Sequence, residues 1–421
     1  MNSSTASEPE TFEVTVERIL PGGMGLAHTD GRTVLVALSA PGDRVRVSID
    51  RVKGKVAFAS IVEIIEASPV RVEPPCPYFG RCGGCDFQQL NYQAQLEAKT
   101  EIIRDCLRRI GGIVDVPDFA IVSAPNEWRY RARAQWQYDS VRKRIGYFEA
   151  NSHRVCDVAE CAVLVPELQA ELERLRRRMT EGQLPDDARY LRAIAGDDEI
   201  SLVDGWGSSP TVREGVGARD VTRTISGETY RLSAENFFQT NIDLLPQLVN
   251  EALKDAKGAR AIELYCGVGL FTVPLARLFK TVAAIEDDAA ATEFARGNLA
   301  HAGLANAEVV NQDVADWLDL ECAGINGALD RRDNYTRAAQ PDFLLLDPPR
   351  TGAESRVISG IVKLKPKKIC YVSCDPATLA RDLKKLIAGG YAIESIKAFD
   401  MFPQTHHSET IVSLLPPSSE G

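Results

Sequence analysis

Residues 260–286 read RAIELYCGVGLFTVPLARLFKTVAAIE. A short apolar run, Arg260–Tyr265, gives way to a loop holding Gly267 and Gly269, then to helix-spaced apolar residues, then to a second run, Thr281–Glu286. That order is strand, loop, helix, strand. Glycines in the loop let the backbone approach a ligand closely. Glu286 follows Gly267 by 19 residues, where a carboxylate can accept both hydroxyls of a ribose. The third glycine of a dinucleotide fingerprint is replaced by Thr272. No pyrophosphate has to be held there, so an adenosine-type ligand such as S-adenosylmethionine fits better than NAD.

Outward from this unit the same texture continues. Further apolar runs stand at Ala307–Asn311, Asp342–Asp347, Lys368–Ser373, Ile393–Phe399 and Thr410–Leu415, and a helix over Leu244–Ala256 precedes them. Continuous rather than alternating apolar strands are buried on both faces. The pattern predicts an α/β fold with a doubly wound, Rossmann-like sheet. Ala323 to Gln340 is polar and reads as an insertion loop.

Ligands of such sheets sit at the carboxyl ends of the strands. Asp313 and Asp347 end two strands, the latter in the rigid Asp347-Pro-Pro-Arg350 turn. Cys374 ends another and begins the next helix, a place that favours thiolate, with Asp375 working slightly against it. Glu409 precedes the last strand and can serve as a base if burial raises its pKa. His406 and His407 read as loop or packing residues. A thiol, a base and a methyl-donor loop in one crevice suit methylation of C5 of uracil. A thiolate adds to C6, the enolate takes the methyl group, and a base removes the C5 proton.

At these residues the chain resembles the RNA (uracil-5-)-methyltransferase family. The matching stretches are Phe238-Gln239-Thr240-Asn241, ELYCGVGLF, LLLDPPR, YVSCDPATLARD and DMFPQTHHSE, in the family's order. The resemblance implies Cys374 as nucleophile and Glu409 as general base. It also implies methyl-donor contacts at Gln239, Tyr265, Leu270, Glu286, Asp313 and Asp347, beside the loop glycines Gly267 and Gly269. Three positions depart from the family pattern: Asp375 stands for Asn, Glu263 for Asp and Ser408 for an apolar residue. Asp375 is expected to raise the thiol pKa; no departure removes a reacting group.

The whole chain has 421 residues, 49 Lys and Arg against 59 Asp and Glu, and a formal net charge of -10. That composition excludes a disordered chain, a coiled coil or a polyanion binder acting through bulk charge. No apolar run reaches the ~18 residues of a membrane span, and the N-terminus lacks the pattern of a secretory signal. A reducing, cytoplasmic location is the expectation, with no membrane and no obligate protein partner. Residues 1–10 are expected to be a disordered tail. Residues 11–67 read as strands separated by turns at Pro21–Gly25 and Pro41–Asp43, a small OB-like β-barrel. With GGMGLA and ALSAPGDRVRV this stretch resembles a TRAM domain, which implies RNA binding; its seven basic and seven acidic residues alone would not.

Residues 68–230 form the expected central α+β unit, and 231–421 the methyltransferase unit. Pro69–Pro77 reads as a linker, and Asn91–Ile110 and Pro166–Met179 as helices. Cys76, Cys82 and Cys85 stand within ten residues, and Cys156 and Cys161 are candidates for a fourth ligand. One CxxC with unequal partners suits an iron–sulfur cluster better than zinc, without excluding either. The ribosomal-RNA branch of the family carries a [4Fe–4S] cluster on this spacing, and its CPVL-like motif matches Cys161–Leu164. The resemblance therefore selects Cys161. Between Arg129 and Arg154 lie seven basic and two acidic residues. Arg129, Arg131 and Arg133 alternate with Tyr130, and Arg144 follows, which suits single-stranded or flipped-out RNA. The expected activity is S-adenosylmethionine-dependent formation of 5-methyluridine in 23S rRNA. Transfer RNA is the second substrate, and a non-catalytic, redox-sensing RNA binder is the rival from another class.

Overall fold

The computed structural model describes residues 11–29, 31–206, 209–211, 220–324 and 340–416. The expected tail, 1–10, and most of the expected insertion loop lie outside the described residues.

The N-terminal strands are β1 (Thr11–Thr15), β2 (Arg18–Ile19), β3 (Gly25–Thr29), β4 (Arg32–Val36), β5 (Arg44–Lys53) and β6 (Val56–Glu66). They form one sheet in the order β1-β5-β6-β4-β3-β2, in which only β4 and β6 pair in parallel. Register shifts between β5 and β6 bend the sheet. It thereby curls around one core of Val14, Val16, Ala27, Val34, Val36, Val45, Val47 and Ala59. The expected linker is fastened to this unit. Arg71 donates from Nε and Nη2 to the buried Asp43, at 3.0 and 2.6 Å.

Next come α1 (Tyr92–Arg109) and β7 (Ile121–Val122). Asn91 caps α1 by accepting from the Ala94 amide. The central strands are β8 (Arg133–Asp139), β9 (Arg144–Phe148), β10 (Val155–Asp157), β11 (Tyr190–Ala195), β12 (Ile200–Trp206) and β13 (Ser209–Thr211), with α2 (Pro166–Thr180) between β10 and β11. They form an antiparallel sheet ordered β10-β9-β8-β11-β12-β13. Ala134, Trp136 and Tyr138 of β8 face Leu168, Leu172, Leu175 and Met179 of α2 in its core. A hairpin follows, β14 (Asp220–Ile225) and β15 (Glu228–Ser233).

The C-terminal part runs α3 (Leu245–Ala252), β16 (Arg260–Leu264), α4 (Thr272–Leu278), β17 (Thr281–Glu286), α5 (Ala289–His301), β18 (Ala307–Asn311), α6 (Val314–Cys322), β19 (Phe343–Leu346), α7 (Ser355–Leu364), β20 (Ile369–Ser373), α8 (Pro376–Ala388), β21 (Ala392–Phe399) and β22 (Glu409–Leu415). The sheet order is β18-β17-β16-β19-β20-β22-β21-β7, with only β22 antiparallel to its neighbours. Alternate strand residues pack on opposite faces, as a period of two requires. Ala261, Val282, Phe343 and Cys370 meet α3, α4 and α5; Ile262, Ile285, Leu344 and Tyr371 meet α6, α7 and α8.

Two elements of the expected central unit belong to this sheet. Ile102, Ile103 and Leu107 of α1 share the second core with α8, and β7 pairs with β21 as the sheet's last strand. The helix expected over Leu244–Ala256 ends at Ala252, and the chain then turns through Asp255 and Gly258 at positive φ.

Candidate active site

The order β18-β17-β16-β19-β20 reverses direction between β16 and β19, the place where sheets of this kind bind ligands at the carboxyl ends of their strands. After β16 the chain enters a loop in which Tyr265, Gly267 and Gly269 all have positive φ, at 64°, 53° and 92°. Glu286, ending β17, accepts from the Gly267 amide at 2.9 Å and so ties the loop to the neighbouring strand. Burial, then Asp287, raises the Glu286 pKa. Asp313 caps α6 by accepting from the Asp316 amide at 2.9 Å. Gln239 and Leu270 are buried, and the Gln239 side-chain oxygen has no hydrogen-bond partner among the described residues.

β22 runs antiparallel between β20 and β21. Thr410 pairs with Ser373, which sets Glu409 across from the end of β20 and Cys374. Glu409 is buried and its Oε1 has no hydrogen-bond partner among the described residues. Burial pushes its pKa well above the ordinary value; Asp347 pushes further and Arg350 opposes. Burial alone takes Asp347 to about 7. Cys374 was expected to favour thiolate. Instead burial, Glu409 and Asp347 push the thiol up to about 12, against Arg350 and with a smaller push from Asp375. The helix dipole offers little relief because Asp375 takes the first amides of α8, those of Ala377 and Thr378. Arg350 is the site residue that sequence reasoning left inside a motif. Among the described residues its positive charge acts on Cys374, Glu409 and His407 alike.

The four expected cysteine ligands, Cys76, Cys82, Cys85 and Cys161, line a single cavity of about 80 Å³ with Tyr147, Phe79 and Arg131. Cys156 does not line it; its sulfur accepts from Arg81 Nε at 3.3 Å. Burial raises Cys82 and Cys85 to about 12, and neighbouring cysteines add to the rise. Among the described residues no group of three or more His, Cys, Asp or Glu is arranged to hold a metal ion.

The expected RNA-facing arginines do not form one row. Arg129 is exposed and outside the strand, at φ 55°. Arg131 turns to the cysteine cavity. Arg133 lies 5.6 Å from the ring of the exposed Phe237, and burial with Arg192 and Arg131 lowers its pKa to about 10. Arg144 is exposed at the start of β9.

A glycine loop after the first strand of the unit and an acid ending the second are the features of a nucleoside-binding α/β sheet. A family model described as tRNA (Uracil-5-)-methyltransferase matches residues 221–416, and a TRAM domain model matches residues 8–62. A 23S rRNA (uracil(1939)-C(5))-methyltransferase of Pectobacterium atrosepticum is 32% identical over 96% of this chain and 94% of the relative. An uncharacterised RNA methyltransferase of Aquifex aeolicus is 30% identical over 96% and 98% of the two chains. The solved tRNA (uracil-54, C5)-methyltransferase of Pyrococcus abyssi, in complex with S-adenosyl-L-homocysteine, is 26% identical, with a TM-score of 0.71 over 96% of this chain and 100% of that one. The chain belongs to the RNA (uracil-5-)-methyltransferase family and is an S-adenosylmethionine-dependent enzyme acting on uracil C5 in RNA. No helix among the described residues is long and apolar enough to cross a membrane.

Proposed function

We propose that the enzyme makes 5-methyluridine in 23S rRNA through a covalent adduct between Cys374 and the uracil. The observation that carries this reading is the antiparallel insertion of β22, which sets Glu409 opposite the end of β20 and Cys374. Cys374 Sγ, its proton passed to water, bonds to C6, and the C5–C6 π electrons move toward O4. C5 then attacks the sulfonium methyl group, and the methyl–sulfur bond breaks to release S-adenosylhomocysteine. Glu409 takes the C5 proton, the double bond re-forms, and the C6–sulfur bond breaks.

The electrostatics fit a positively charged methyl donor. Burial raises the pKa values of Asp347, Glu409 and Cys374 together in the free site. A sulfonium among them would lower all three pKa values, which favours the ionised base and nucleophile when the donor is present. Gln239, Tyr265, Gly267, Gly269, Leu270, Glu286 and Asp313 form the rest of the donor site in this reading.

Cys76, Cys82, Cys85 and Cys161 would hold a [4Fe–4S] cluster. Four soft donors around one cavity support it, and the absence of Cys156 from that lining supports Cys161 as the fourth. Such a cluster would cross-link the central segment rather than take part in methyl transfer. Arg129, Arg133 and Arg144 remain the candidates for RNA contact, with Arg131 assigned to the cysteine cavity. Ribosomal RNA is favoured by the Pectobacterium relative; transfer RNA is the second reading, favoured by the Pyrococcus neighbour. The same reading puts the enzyme in the cytoplasm. Mass mapping of both RNAs from cells lacking the protein should reveal a lost methyl group in 23S rRNA. Undiminished methylation of all uridines there would overturn the substrate assignment. Unchanged turnover by Cys374→Ala would overturn the chemistry.

A further inference from the structure

The segment Asp400–Ser408 leads into Glu409 and is almost wholly buried, yet it has no regular structure of its own. It is held from outside. Lys99 of α1 pairs with Asp400 and donates to the Phe402 carbonyl at 3.1 Å. Tyr130 Oη donates to the Pro403 carbonyl at 2.9 Å. The side chains of Gln95 and Gln404 are joined, and the Gln404 amide donates to Gln95 Oε1 at 2.9 Å. Gln404 itself is at φ 69°.

The remaining ties come from the cysteine segment. The Asp86 and Phe87 amides both donate to the Gln404 carbonyl, at 3.1 and 3.0 Å. The His406 amide donates to Asp86 Oδ1 at 2.9 Å, and His406 Nδ1 lies 2.5 Å from Asp86 Oδ2. Asp86 directly follows Cys85, and His406 precedes Glu409 by three residues. The barrel closes the junction: a Cβ on Gly23 would stand 2.9 Å from Asp86 Oδ2 and 3.3 Å from His406 Nδ1.

We propose that Asp86 and His406 are positioning residues that aim Glu409, so that the cysteine segment acts on the last step of the reaction through the loop it grips. This rests on the reading of Glu409 as the base. It gives His406, otherwise a loop residue, a task. It also gives the cysteine segment a link to catalysis that needs no electron transfer.

The prediction separates two events. Methyl transfer precedes proton removal, so a misaimed base leaves the former intact and slows the latter. General-base catalysis contributes about 10²–10⁴-fold, and loss of aim should forfeit about tenfold or more. The assay uses the full-length enzyme, a transcript carrying tritium at uracil C5, and S-adenosylmethionine with a carbon-labelled methyl group. Methyl incorporation and tritium release are followed in one reaction, and adduct is read on a denaturing gel. Asp86→Ala and His406→Ala should both incorporate methyl ahead of tritium release and accumulate methylated adduct. Asp86→Asn, which still accepts from the His406 amide, should restore equal rates. His406→Ala touches no cysteine, so the same split there excludes a local failure of the Cys85 loop. Glu409→Gln is the reference. If it splits the two signals and both alanine variants keep them equal, the positioning role is wrong. If Glu409→Gln does not split them, the assignment of the base is wrong.

Discussion

Replacing Asp347 with Asn should stabilise the ligand-free enzyme, and more so as pH rises. The folded carboxyl titrates at about 7 against an ordinary 3.8, because it is buried. Between those values the folded state keeps a proton that the unfolded state has lost. Folding stability therefore falls as pH rises through that window. Each unit corresponds to about 1.36 kcal/mol, so the penalty is about 2 kcal/mol at pH 5.5 and about 4 kcal/mol at pH 8.5. Asn carries no charge and escapes it. It also relieves Glu409 and Cys374, whose pKa values Asp347 helps to raise. Urea unfolding of both proteins at the two pH values should show the variant ahead by a margin that widens by about 2 kcal/mol. Saturating S-adenosylmethionine should narrow the margin at pH 8.5, since a sulfonium favours the ionised carboxylate. Equal stability at pH 8.5, or a margin that does not grow with pH, would refute the electrostatic account of the crevice.

Other outcomes follow from the same geometry. Lys99→Met leaves Asp400 buried without its cation and should cost about 3–5 kcal/mol by urea unfolding; a loss under about 1 kcal/mol would deny the pair a structural role. Arg350→Gln removes the cation that lowers both Glu409 and Cys374, so the acid limb of the single-turnover rate should move to higher pH; an unmoved limb would exclude Arg350 from the site. Cys161→Ser should abolish iron binding measured by visible absorbance and iron analysis, while Cys156→Ser should retain it; the reverse pattern would exchange the two ligands.

What could be read from the chain was local. The glycine loop, the buried parallel strands and the helix at Asn91 carry their own periodicity and caps, and their observed bounds differ by a residue or two. β3, Gly25–Thr29, was hidden because its glycine and histidine resemble the turn before it. The adoption of α1 and β7 by the C-terminal sheet depends on pairing across some 280 residues or more, as between Val122 and Phe399, and no short window contains that information. The thiol of Cys374 was misjudged for a related reason. A helix start is visible in sequence, whereas the burial and the two carboxylates that outweigh it arrive from β19 and β22. The direction of Arg131 toward the cysteines was likewise a matter of which neighbour filled the space, not of strand alternation.

The membership of α1 in the C-terminal core has a consequence for biosynthesis. Its apolar face, with Ile102, Ile103 and Leu107, is completed by strands that reach as far as Leu414. At ~5–20 residues per second, that face emerges from the ribosome tens of seconds before its partner exists. The nascent chain therefore carries an unsatisfied oily helix through most of translation, a natural target for a chaperone. A fragment cut between the central and C-terminal parts would leave both products with raw apolar surface.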